Sequence, residues 1–222
     1  IKNETVTISG LKARILDGDL ALDGTYSTYQ TEKPALDLKF KLLNVDVQQA
    51  FKTFNSIEKI MPIADQISGR FSTEFDMKGL LGDDLSPDLN TLLGEGTVEL
   101  TNAKLTGNST INNIADKFKL PQLKSIEIPK SWTIIKLVNG KIFVEPFDLK
   151  YQDIAMTIAG SHSLLNVMDY GVLMDVPSNK MGPAKGMVDG LLAQSPLPGI
   201  TPASLPDVLR FRVGITGDMA SP

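Results

Sequence analysis

The strongest constraint on the fold of this chain is a regular alternation of apolar and polar residues. The stretch ALDLKFKL, residues 35–42, places an apolar side chain at every second position. The stretches GRFSTEFDMKG, residues 69–79, and LRFRVGI, residues 209–215, show the same pattern. A period of two with one polar side is typical of antiparallel sheets with one solvated face. The chain is therefore predicted to be mainly β.

Turn residues divide the chain into further strands. The stretch ILDGDLALDGTYS, residues 15–27, contains two short alternations, each closed by Asp-Gly, which favours a hairpin. Additional strands are predicted at residues 5–9, 97–105, 132–138, 141–150, 153–162 and 167–176.

Three segments change to a helical period. The first, residues 47–61, follows Asp46 as a candidate N-cap and ends before Pro62. The second, residues 111–118, follows Asn108 or Ser109 as a cap, and the third, residues 180–195, is rich in glycine and methionine. The predicted fold class is mainly β with a few short α-helices (α+β). Its core would be a large curved antiparallel or mixed sheet, or a β-groove, with helices covering the edges.

An internal repeat links the two ends of the chain. Residues 11–27 match residues 147–163 at an offset of 136 (from 11 to 147), with Gly24 aligned to Gly160. In both places an apolar-Asp-apolar strand and a helical candidate follow. We expect one domain over residues 1–222, with two related halves at about 11–60 and 147–195. The match is also compatible with two unrelated hairpins that share the same pattern. Gly24 and Gly160 are predicted to mark equivalent bends.

Charge and cysteine content exclude several classes of function. The net charge is −4 with a pI near 5.1, so the chain lacks the basic character of nucleic-acid-binding proteins. It has no cysteine, which excludes disulfides, thiol catalysis and thiolate metal sites. No run approaches the roughly 18–20 apolar residues that span a bilayer. Because the chain starts on Ile1, we expect it to be a piece of a longer protein.

The residues that could perform catalysis are few. His162 is the only histidine, and its alignment with Tyr26 predicts a half-exposed strand residue. One histidine without cysteine cannot supply the three or four ligands of a usual zinc site. Asp83, Asp84 and Glu95 lie near predicted turns, where carboxylates are common. We therefore predict no catalytic residue, no metal site and no cofactor.

Holding an apolar chain requires no motif, only an apolar strand face that is incompletely covered. Each buried methylene contributes about 0.8 kcal/mol. The candidates for such a groove are Leu36, Leu38, Phe40, Phe71, Phe75, Met77, Val98 and Leu100. The candidates for a lid or membrane contact are Met181, Met187, Val188, Leu191 and Leu192. The alternative for every groove candidate is an ordinary core position.

Several segments together resemble the C-terminal region of the AsmA family, over about residues 5–218. Residues 67–107 resemble that family's series of glycine-bounded strands, and residues 138–177 resemble its two-strand unit that leads to a closing strand and a proline. The stretch VLRFRVGITGDMASP is similar to the final strand of the family and to the short motif that follows that strand. It departs from the pattern because residues 219–221 separate Asp218 from Pro222.

The resemblance implies a place in the Gram-negative cell envelope. AsmA-like proteins are linked to outer-membrane assembly and are membrane-anchored through an N-terminal segment. The related TamB-like proteins are thought to shelter lipid tails in β-grooves, and no catalytic residues are assigned to the family. We therefore expect a periplasmic, non-enzymatic domain for lipid binding or lipid transport. Its partners would be lipid or membrane and envelope assembly proteins, with no nucleic acid. The alternatives are an interaction module that pairs through sheet edges and a carbohydrate-active enzyme.

Overall fold

Ten strands form one open, curved antiparallel sheet in the computed structural model of the chain. The structure describes residues 4–29, 32–54, 57, 61–117, 119–163, 167–180 and 206–218. The strands are β1 Thr5–Ile15, β2 Gly18–Ser27, β3 Ala35–Asp46, β4 Ile67–Leu80, β5 Leu93–Thr106, β6 Ser125–Val138, β7 Lys141–Tyr151, β8 Ile154–Ser163, β9 Val167–Pro177 and β10 Val208–Asp218. The prediction of a mainly β chain with short helices is confirmed.

The strand order is the chain order, from β1 at one edge to β10 at the other. Every neighbouring pair is antiparallel, so the sheet is antiparallel and not mixed. Helix α1, Val47–Thr53, connects β3 to β4, and helix α2, Ser109–Lys117, connects β5 to β6. After each helix the chain forms a short 3-10 turn that begins with proline, at Pro62–Gln66 and Pro121–Lys124. Because odd strands lead into even strands at the same end of a meander, both helices lie at one end of the sheet.

The predicted helix caps are present. The Asp46 carboxylate accepts a hydrogen bond from the backbone N–H of Gln49 at 2.8 Å. The Asn108 side chain accepts one from the backbone N–H of Ile111 at 2.9 Å. Helix α1 is assigned only as far as Thr53, and much of the remaining predicted run to residue 61 lies outside the described residues. Nearly all of the predicted third helix, residues 180–195, also lies outside them.

The hairpin at residues 15–27 differs from its prediction at one point. The turn between β1 and β2 consists of Leu16 and Asp17, which both have positive φ, at 48° and 59°. The first Asp-Gly therefore closes the hairpin, as predicted. The second, Asp23-Gly24, lies inside β2 and pairs across the sheet, so the prediction that it ends an alternation was wrong.

The two repeated hairpins have the same pairing register. When the residue numbers are shifted by the repeat offset, from 5 to 141, the bounds of β1 become those of β7. The same shift turns the bounds of β2 into those of β8. Both pairs carry a register shift at the same place, after Ile8 in the first and after Val144 in the second. Gly24 pairs with Ile8, and Gly160 pairs with Val144. The two glycines therefore occupy equivalent positions beside equivalent bulges, while a common origin of the halves stays a prediction.

The sheet is weakest between β6 and β7. These strands pair only from Ile135 with Val144 to Val138 with Lys141, although β6 has 14 residues and β7 has 11. No backbone pairing joins the rest of the two strands as described, although the Thr133 hydroxyl donates a hydrogen bond to the carbonyl oxygen of Glu145 at 2.8 Å. The sheet thus consists of a six-strand part and a four-strand part, and the second part starts at the strand that begins the second repeat.

The larger core lies at the end of the sheet that carries the helices. It contains Val47 and Ala50 of α1, Ala115 of α2 and side chains from β3 to β9. A smaller cluster of Leu92, Leu137 and Ile142 lies apart from it. Between the two clusters many apolar side chains are only half-buried. These side chains form the candidate site.

Candidate functional site

All the groove candidates lie on one face of the sheet. Residues paired across antiparallel strands point to the same side, and residues two apart on one strand share a face. One row of paired residues crosses all ten strands: Leu11, Leu22, Phe40, Phe75, Gly96, Ile135, Val144, Gly160, Tyr170 and Ile215. The face that carries this row is called the apolar face below, and the opposite one the polar face.

The groove candidates differ in burial along the strands. Phe71 is buried and belongs to the larger core, together with Val47 and Ala50 of helix α1. The others are half-buried: Leu36, Leu38, Phe40, Phe75, Met77, Val98 and Leu100. The structure therefore places Phe71 in the core. The others are half-buried on the same face: Leu100 packs against the larger core, and Phe75 and Met77 pack against the smaller cluster.

Glycines let aromatic rings lie flat on the apolar face. The Phe75 ring covers Gly94 and Gly96 of the neighbouring strand, where an added Cβ would meet ring atoms closer than 3.0 Å. Phe75 also stacks on Phe40, with ring centroids 5.9 Å apart. In the second half the Tyr170 ring covers Gly160 in the same way. Because these glycines lack a side chain, rings from the neighbouring strand form a smooth floor.

The four-strand part of the sheet contributes residues that the sequence interpretation missed. They are half-buried and occupy the same face: Val144, Ile158, Tyr170, Val172, Val213 and Ile215. The internal repeat could have found some of them. Leu38 of β3 pairs with Gly24, and Tyr170 of β9 pairs with Gly160, the equivalent glycine of the second repeat. The groove candidates on β3 therefore predict equivalent residues on β9.

The polar face is covered by ion pairs. Lys39 lies 3.5 Å from Asp76, and Lys41 lies 3.5 Å from Glu74. Lys136 lies 2.7 Å from Glu145, and this contact raises the pKa of the lysine. Across β9 and β10 the Arg210 guanidinium holds the Asp175 carboxylate through bonds of 2.6 and 2.7 Å, which lowers the pKa of Asp175. The two faces therefore differ sharply in chemistry.

A shallow depression of about 290 Å³ on the polar face brings carboxylates together. It is lined by Glu74, Asp76 and Glu95, with Lys39 beside them. Asp76 and Glu95 are directly opposite each other in the strand pairing. The side chains of Glu74 and Asp76 are 52% and 66% exposed. Such exposed, lysine-paired carboxylates are typical of a cross-strand charge ladder.

Asp84 has a role in its turn. Its carboxylate accepts hydrogen bonds from the hydroxyl and the backbone N–H of Ser86, at 2.6 and 3.0 Å. These bonds lower the pKa of Asp84, with the hydroxyl bond as the largest cause. The arrangement stabilises the loop between β4 and β5.

His162 is buried, so the prediction of a half-exposed strand residue was wrong. It is 4% exposed, and its Nδ1 lies 2.9 Å from the hydroxyl of Tyr170, whose ring stacks on it at 6.1 Å. Burial raises the pKa of Tyr170 to about 12. The contact between His162 and Tyr170 could not be predicted from the sequence, because the alternation shows on which face a side chain lies but not which residues pack against it.

The candidates for a lid lie outside the described residues: Met181, Met187, Val188, Leu191 and Leu192. Within the described ranges no group of three or more His, Asp or Glu side chains is placed to hold a metal ion. No helix in those ranges has the length and apolar character needed to span a membrane.

Comparisons with known proteins add no relative. No protein-family model, no curated protein and no solved structure matches the chain.

Proposed function

We propose that this domain shelters lipid or another apolar chain in a groove formed by the apolar face of its curved sheet. One observation carries the proposal: the apolar row crosses all ten strands, and from Leu22 to Ile215 its members are half-buried, while Leu11 at the first strand is exposed. Continuous exposed apolar surface of more than a few hundred Å² is uncommon on monomeric proteins and marks binding surfaces.

The energetics of such a groove favour acyl chains. At about 0.8 kcal/mol per methylene, burial of a roughly fourteen-carbon chain contributes on the order of 10 kcal/mol before ordering costs. The groove needs no specific polar contact to reach useful affinity. The flat floor made by Phe75 over Gly94 and Gly96 suits a chain that lies along the sheet.

The biological setting that we propose follows the AsmA resemblance of residues 67–107 and 138–177. In that setting the domain is periplasmic and belongs to a longer, membrane-anchored envelope protein. It is non-catalytic, serves outer-membrane biogenesis, and has lipid, membrane or envelope assembly proteins as partners. The β-rich sheet with a one-sided apolar face is compatible with the grooves attributed to the related TamB-like proteins.

A matched pair of variants tests the groove. Val98 is half-buried on the apolar face, and its neighbour Thr97 is exposed on the polar face of the same strand. Native mass spectrometry of the purified protein should detect co-purifying lipid. Uptake of a fluorescent fatty acid should be lost in Val98→Glu and kept in Thr97→Glu. A protein that is empty as purified and takes up no labelled fatty acid would rule out the groove.

A second candidate function is an interaction module that pairs through a sheet edge. Strand β10 pairs with β9 without interruption from Val208 to Asp218. Its outer edge has no partner strand among the described residues. At the other edge, β1 carries a bulge and the charged Lys12 and Arg14, features that discourage pairing. Analytical ultracentrifugation that shows a dimer, together with no fatty-acid uptake, would favour this function.

The carbohydrate-active alternative has a weaker basis. The depression that contains Glu74, Asp76 and Glu95 would be its site. A glycosidase needs two carboxylates about 5–10 Å apart on either side of a bound sugar. Both Glu74 and Asp76 are mostly exposed and paired with lysines. Screening with chromogenic glycosides tests this function, and turnover that is lost in Glu95→Gln would support it.

A further inference from the structure

A cavity of about 450 Å³ lies between helix α2 and the edge strand β10. Its volume falls in the range of about 300–1,000 Å³ that is usual for small-molecule sites. The apolar part of its wall contains Ile114 of α2 with Val213 and Ile215 of β10. Ile215 pairs with Tyr170 and Val213 pairs with Val172, so the cavity continues the apolar face at its last strand.

The rim of the cavity is cationic. Lys117 and Arg212 both line it, both are exposed, and neither forms an ion pair with a described residue. By contrast, Arg210 on the same strand is held by Asp175. Apart from the two cations and the apolar residues, the described lining consists of threonine, asparagine and glycine, so no described carboxylate lines the cavity. The cavity therefore joins an apolar wall to an unneutralised positive rim.

We infer that this cavity binds the head end of a single-chain anionic amphiphile, a fatty acid. Arg212 lies on the polar face of β10, next to Val213 of the apolar face, so the cavity extends around the outer edge of this strand. The carboxylate would lie between Lys117 and Arg212 at that edge, and the chain would pass around it over Val213 and Ile215 onto the apolar face. An arginine guanidinium suits a carboxylate because it donates two parallel hydrogen bonds. A volume of about 450 Å³ suits the head end and the first methylenes of one chain, while the rest of the chain lies on the apolar face.

This inference rests on the proposed function and adds the head-group contact and the number of chains. The test compares oleate with oleyl alcohol, which has the same chain and an uncharged head. The test variant combines Lys117→Ala with Arg212→Ala. The control combines Lys104→Ala with Arg14→Ala, which removes the same charge from two exposed side chains outside the cavity. Because the four side chains are exposed, both variants should unfold in urea at the wild-type midpoint.

The test variant should bind oleate about tenfold or more weakly than the wild type, because two charge-assisted contacts are lost. It should bind oleyl alcohol as the wild type does, and the control should bind both ligands normally. Unchanged oleate binding in the test variant would overturn the head-group site and leave the groove intact. An equal loss of both ligands would also overturn it. Tighter binding of phosphatidylglycerol than of oleate would refute the single chain, and wild-type protein that binds neither oleate nor its alcohol would refute the groove itself.

Discussion

Replacement of Gly96 by alanine tests the floor of the groove. A Cβ at this position would overlap the Phe75 ring and also the carbonyl oxygen of Glu74, which is backbone. The ring cannot move freely, because it stacks on Phe40 and packs against the smaller core cluster. The overlap must therefore be relieved by a shift of two paired strands.

The expected cost follows from two opposing effects. Overpacking of this kind costs about 1–3 kcal/mol. Replacing glycine by alanine also stabilises the folded protein by about 0.4–1 kcal/mol, because it lowers the conformational entropy of the unfolded chain. Gly96→Ala should therefore lower the free energy of unfolding by roughly 1–2 kcal/mol, which for a chain of this size lowers Tm by about 2–8 °C.

Gly171 provides the control. It lies in β9, and an added Cβ there would meet no atom of a described residue within 4 Å. Gly171→Ala should therefore raise the stability by about 0.4–1 kcal/mol. Urea unfolding followed by circular dichroism measures both variants. If Gly96→Ala is as stable as the wild type, the Phe75 ring does not lie over Gly96 and the account of the floor is wrong.

Three other predictions concern single side chains. Asp46→Ala removes the cap of helix α1 and should cost about 1 kcal/mol in urea unfolding, whereas Asp37→Ala on the polar face should cost little. The buried Ser131 hydroxyl has no hydrogen-bond partner among the described residues, so Ser131→Ala should be neutral or stabilising in the same assay, and a clear loss of stability would reveal a partner. One of the 4 tyrosines should ionise late in an alkaline absorbance titration, and Tyr170→Phe should remove that late step. Because the pKa of Tyr170 rises from 10.0 to about 12 on folding, its contribution to stability should be lost as the pH rises through that window.

Local structure was largely predictable from the sequence. The alternation of apolar and polar residues predicted the strands and the face on which each side chain lies, since successive side chains of a strand point to opposite faces. The caps at Asp46 and Asn108 followed from short polar side chains that satisfy the first N–H groups of a helix. The internal repeat located two hairpins that share one register.

Burial was not predictable from alternation. Phe71 and Phe75 lie on the same strand and the same face, yet Phe71 is in the core with helix α1 and Phe75 is half-buried. Only the position of the helices separates them. The short pairing between β6 and β7 was also unpredictable, because a strand pattern does not show how far two neighbouring strands stay paired. The cavity beside Lys117 and Arg212 depends on the sheet's curvature, which brings α2 towards β10.

The most direct test of the groove measures where a bound chain lies. The protein has no cysteine, so a single cysteine can carry a fluorescent label. Met77→Cys places the label on the apolar face, and Lys78→Cys places it on the polar face of the same strand. A brominated fatty acid quenches fluorophores that it touches. The account predicts strong, saturable quenching of the label at position 77 and little at position 78; equal quenching at both positions, or none at position 77, would contradict it.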